Sequence, residues 1–161
     1  MINRTALRTQ AKELRLASNF KEALSLYLKL WDETKAEIDA AGILHCLRKE
    51  KEYEKAIAFS MQLASGPYQK DWLRNELVWT YIEGRLLKKT TTDSLTQLID
   101  AANKVLDLKP DLIALKTAVF VILKAAKQHD RWDIVDEWVG KIDPTDLSDE
   151  PNVANGRMVW S

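Results

Sequence analysis

The sequence predicts an all-α protein, and three observations carry that prediction. Gly and Pro are scarce, at five and four of 161 residues, while Leu, Ala, Lys and Glu dominate, and straight-chain side chains lose little rotamer freedom in a helix. Apolar residues return at intervals of three and four along most of the chain, which is the period of one helix face. The same pattern then recurs about 33 residues further on. Such a period marks stacked helical hairpins, because each hairpin buries its apolar face only against a neighbour.

The first hairpin pairs a helix carrying Leu7, Ala11 and Leu14 with one carrying Phe20, Ala23, Tyr27 and Leu30, across the polar break "ASN" at Ala17–Asn19. The small Ala23 between two aromatics invites a close helix approach there. The second repeats the plan with Ala40, Ile43, Leu44 and Leu47, the break "KEKE", and then Tyr53, Ala56, Ser60 and Leu63; Tyr53 lies 33 positions after Phe20. Gly66 and Pro67 then stop the preceding helix and Asp71 is placed to cap the next. That third unit opens with "WLRNELVWTYIEG", inserts the polar loop "LKKTTTDSL", and closes with "SLTQLIDAANKVLDLKP", for which Asp93 is the expected cap, with Pro110 just past its end or at the start of the following helix.

A fourth pair begins with "DLIALKTAVFVILKAAKQHD", apolar nearly all round and so expected to be buried on several sides. Its partner is "RWDIVDEWVGKIDP", with Trp132, Val135, Trp138 and Val139 expected to face inward. Beyond Pro144 the helical period is lost. The expected organisation is therefore one helical repeat domain over residues 1–144, of about eight antiparallel helices, and a non-helical acidic tail or linker over 145–161, in which "GRMVWS" reads as a strand leading into a following domain.

Charge narrows the partners. The chain holds 24 basic and 24 acidic side chains, so no global field favours nucleic acid or an anionic membrane. The distribution is uneven: residues 1–128 carry 21 basic against 16 acidic side chains, a net of +5, and 129–161 carry 3 against 8, a net of −5. One cysteine, Cys46, excludes an intrachain disulfide and suits a reducing compartment. With no apolar leader segment in the N-terminal stretch and no run long enough to span a bilayer, the expected location is cytoplasmic, away from membranes.

The spacing resembles the tetratricopeptide repeat (TPR) family. In the first unit Leu7, Ala11, Leu14, Phe20, Ala23 and Tyr27 match its signature in order; in the second Ala40, Ile43, Leu47, Tyr53 and Ala56 match, while Leu44 is large where the family prefers a small residue and Ser60 replaces an aromatic. The third supplies Leu77, Val78, Tyr81 and the ending "VLDLKP", and the fourth Trp132, Val135 and Pro144. What the resemblance implies is a right-handed α-α superhelix over roughly Asn3–Pro144, whose first helices line a concave groove for peptides or protein surfaces. In that frame Arg8, Lys12 and Arg15 from the first unit and His45, Arg48 and Lys49 from the second line the groove, followed by Trp72, Asn75 and Trp79 from the third.

Arg8, Lys12 and Arg15 are spaced by four and three, so they share a helix face. A basic stripe leading to indoles suits a protein or acidic peptide partner with an apolar anchor. Nucleic acid is the rival occupant of the same surface, since cations can track phosphates while aromatics stack on bases. The acidic tail raises self-association as a third expectation, with the tail of one chain in a basic groove. A solvated charged face is the ordinary complement of a buried stripe, and large aromatics are ordinary core residues.

No catalytic residues, metal or cofactor are expected. His45 and Cys46 are adjacent and point about 100° apart on a helix, so they cannot chelate one ion together. His129 sits at a helix end beside Asp130, a capping position. Asp143, Asp146, Asp149 and Glu150 lack the glycine and ligand order of a calcium loop, and neither a phosphate loop nor a nucleophile elbow occurs.

Overall fold

Three helical hairpins close through one and the same turn. In the computed structural model, which describes residues 3–63, 70–87 and 94–143 together with the backbone of 151–154 and 157–160, Ser18, Lys51 and Asp130 adopt left-handed backbone with φ of 64°, 59° and 54°. At each, the residue that follows donates its N–H back five positions, Asn19 to Leu14, Glu52 to Leu47 and Arg131 to Ala126, and the N–H of the left-handed residue itself bonds the carbonyl of Arg15, Arg48 or Lys127. This double bond satisfies the last helical carbonyls and reverses the chain.

Glycine is the residue best suited to that conformation, and none of the three is glycine. Lys51→Gly is therefore expected to stabilise the fold by about 0.5–1 kcal/mol, since the left-handed conformation costs a side chain about 1–2 kcal/mol and part of the gain is returned as unfolded-chain entropy. Urea denaturation followed by circular dichroism reads this out.

The helices are α1 (Arg4–Leu16), α2 (Phe20–Thr34), α3 (Glu37–Lys49), α4 (Tyr53–Leu63), α5 (Asp71–Tyr81), α6 (Leu95–Asp107), α7 (Leu112–Gln128) and α8 (Trp132–Val139). Apart from the turns, the described residues up to 143 are thus helical, as the composition predicts. Asn3 caps α1 by accepting from the Ala6 N–H, and Asp111 caps α7 by accepting from Ala114. The α6 cap is Ser94, reciprocally bonded with Gln97 in a capping box; the cap expected at Asp93 lies outside the described residues, as do Gly66, Pro67 and the 144/145 boundary. Asp71 is the first helical residue of α5 and not its cap. That helix widens into a π-turn over Ile82–Leu86, which includes Gly84.

Two compact units are formed, Met1–Thr80 and Tyr81–Ser161. In the first, Ala11, Ala23, Leu30, Ala40, Ile43, Leu44, Ala56 and Leu73 are fully buried, so the predicted stripes of the first two hairpins face each other. Ala23 is buried as expected, and a close approach is made as well at a glycine on the neighbouring hairpin, Gly42, where an added Cβ would fall 2.6 Å from ring carbons of Tyr27.

In the second unit α7 is buried through Ala114, Thr117, Ala118, Val119, Ile122 and Ala126, consistent with its all-round apolar sequence. Val135 and Trp138 of α8 face inward with Ile134. Trp132 and Val139 do not: they are 56% and 37% exposed. The face centred between Ile134, Val135 and Trp138 leaves the two side chains roughly 95–115° away at 100° per residue. At the C-terminal end, β1 (Pro151–Ala154) and β2 (Arg157–Trp160) pair antiparallel, Pro151 opposite Trp160 and Ala154 opposite Arg157. The final segment is a strand, as "GRMVWS" suggested, and its partner is the segment just before it.

Candidate functional site

α1, α3 and α5 bring five of the nine expected groove residues to one pocket. Its volume is about 350 Å³, and Arg8, Lys12, Arg15, His45 and Trp72 line it together with Thr9, Tyr27, Ile38, Ala41, Gly42 and Glu76. The three cations of α1 share the pocket because their spacing puts them on one helix face. Gly42, without a Cβ, lets α3 pack directly against the Tyr27 ring at this pocket. Lys49, Asn75 and Trp79 do not line it: the first two are exposed, and Trp79 is half-buried. Arg48 is not a free cation either, for it is 9% exposed and held by Glu76.

Two carboxylates that the spacing did not reveal organise the charge. Asp39 is fully buried and accepts Arg8 Nε on one oxygen at 2.9 Å and Nη2 on the other at 2.7 Å, with the Thr34 hydroxyl donating at 2.7 Å. Those hydrogen bonds push the Arg8 guanidinium further up from its ordinary value. Glu76 accepts Arg48 Nε at 3.1 Å and Nη2 at 2.7 Å on one oxygen and faces His45 Nδ1 at 3.1 Å with the other. Burial works to raise the Glu76 pKa, but the His45 hydrogen bond and the Arg48 charge outweigh it and hold the carboxyl below the ordinary range.

The remaining charge is positive. Lys12 is exposed, and neither it nor Arg15 has a carboxylate partner among the described residues. Arg15 interacts with the Tyr27 hydroxyl, yet its Nε is buried without a hydrogen-bond partner. The same pocket is lined by two exposed apolar side chains, Ile38 at 51% and Trp72 at 43%. The site thus combines positive charge with exposed apolar surface, suited to holding an anion attached to something greasy.

Asp39 was legible in one respect. It is the single acid in the apolar run "IDAAGIL", four residues before the core Ile43, and an acid at a buried position requires a paired cation. Glu76 carries no such local mark.

Cys46 is adjacent to the pocket in sequence but fully buried. Desolvation pushes its thiol up to about 12, so the nucleophilic thiolate is suppressed. Ellman's reagent at pH 8 is expected to modify Cys46 no faster than the fold opens, and at once in 6 M guanidinium. Because the folded pKa is raised, the stabilisation from keeping the thiol protonated is complete below about pH 9 and is lost as pH climbs toward about 12.

Among the described residues no cluster of three or more His, Cys, Asp or Glu side chains could hold a metal ion, and no helix is long and apolar enough to cross a membrane. No protein-family model, curated protein or solved structure matches the chain.

Proposed function

We propose that residues 1–80 form a TPR-like helical repeat, of the right-handed superhelical kind, that binds an acidic peptide or acidic protein surface and performs no chemistry of its own. One observation carries this reading: among the described residues Lys12 and Arg15 have no carboxylate partner, and they line a pocket with exposed Ile38 and Trp72 in which the third α1 cation, Arg8, is already neutralised by Asp39. A bound carboxylate completes the charge pairing while an apolar side chain covers the exposed apolar surface, which gives specificity as well as area. The turn geometry shared by the first two hairpins, at the same 33-residue offset as the apolar stripes, supports the repeat.

A labelled synthetic octapeptide with the sequence of residues 143–150, Asp-Pro-Thr-Asp-Leu-Ser-Asp-Glu, supplies four carboxylates around one leucine. Fluorescence anisotropy is expected to show binding with a Kd on the order of 10 μM, weakened at least tenfold by Lys12→Glu and unaffected by Lys49→Glu, whose side chain lies outside the pocket. Equal affinity for wild type and Lys12→Glu would sink the reading. Preferential binding of a single-stranded oligonucleotide would replace it with nucleic-acid recognition.

A further inference from the structure

The cations of α1 are not equivalent. Arg8 is held along one guanidinium edge, through both Nε and Nη2, by Asp39, whereas Lys12 and Arg15, three residues apart with Cβ atoms about 5–6 Å from each other, leave two positive charges open in one place. Arg15 is the sharper signal. Its Nε is buried and unpartnered, a situation that weakens a fold and that folded proteins rarely keep without use. Its described polar partner, Tyr27, brings a hydroxyl donor to the same pocket.

We propose that this part of the pocket receives a phosphorylated side chain, phosphoserine or phosphothreonine, of the bound segment; the proposal rests on the peptide-binding reading above. A phosphoryl group carries a charge of about −1.5 to −2 and three acceptor oxygens. It therefore matches two cations and a hydroxyl at a single point, where one carboxylate matches half the charge. Two carboxylates on alternate residues of an extended peptide are about 6.5 Å apart, too far for two side chains that converge. A phosphodiester backbone fits less well, because Glu76, Ile38 and Trp72 line the same pocket, so the cations make a spot and not a track.

Three versions of the octapeptide, with Ser, Glu or phosphoserine at its sixth position, test this by anisotropy at fixed pH and salt. The phosphoserine form is expected to bind at least tenfold more tightly than the Glu form. Lys12→Ala and Arg15→Gln, each checked for fold by circular dichroism, are expected to bring that ratio close to one. Equal binding of the phosphoserine and Glu forms overturns the phosphoryl assignment and leaves the acidic-peptide reading standing, whereas no binding of any form overturns both. An oligouridylate that binds more tightly than the phosphopeptide also overturns it, in favour of nucleic acid.

Discussion

Glu76→Ala is expected to destabilise residues 1–80 by about 3–5 kcal/mol, the range observed when one partner of a buried ion pair is removed. The cause is what it leaves behind. Arg48 is 9% exposed, and both of its bonds to Glu76, at 3.1 and 2.7 Å, disappear together with the contact to His45. A guanidinium with so little access to water cannot recover its hydration without opening the helix pair around it. Hydrogen exchange should show the loss as weakened protection of α3 and α5 amides. Unchanged protection would mean that water already reaches Arg48.

The same carboxylate sets an acid limit. Its folded pKa is depressed below the ordinary 4.5, so its contribution to stability is complete above that value and is lost as pH falls through the folded pKa. Glu76→Gln lacks this ionisation. Its stability is expected to be lower at neutral pH and to fall less steeply between about pH 5 and 3 than that of the wild type, as measured by urea titration at each pH.

The second large effect lies in residues 81–161. Trp138 is 1% exposed, and the Lys141 ammonium sits 4.9 Å from the centre of its ring. Trp138→Ala removes the largest buried side chain of this unit and leaves a cavity, at an expected cost of about 3–5 kcal/mol. Trp132→Ala is the control: at 56% exposure it should change stability by no more than about 0.5 kcal/mol. The contrast between two tryptophans of one short helix is best read from protection of α7 and α8 amides.

Those two tryptophans also show where the sequence was legible. The existence and order of the hairpins could be read because helix periodicity is local, and Ala23, Leu30, Ile43, Leu44, Ala56 and Leu63 are buried as their spacing requires. Which side of α8 faces inward could not be fixed by Trp132 and Val139, since an eight-residue helix offers barely two turns of pattern and Ile134 competes for the face. Charge pairing was harder still. Arg48 looked like one more groove cation, and only the fold brings Glu76, 28 positions away, against it. Arg8, Lys12 and Arg15 were recoverable as a group because a single helix presents them.

One carboxylate of α3 and one of α5 reach back to side chains of the preceding odd-numbered helix, Asp39 to Arg8 across 31 positions and Glu76 to His45 and Arg48 across 31 and 28. Every such latch joins a newly made segment to one made just before it, and none waits for a distant part of the chain. Low sequence separation of contacts favours rapid folding, and synthesis proceeds from the N-terminus. The first hairpin can therefore form as it leaves the ribosome, and each later carboxylate, on emerging, finds its cation already in place, so the growing chain is locked one hairpin at a time.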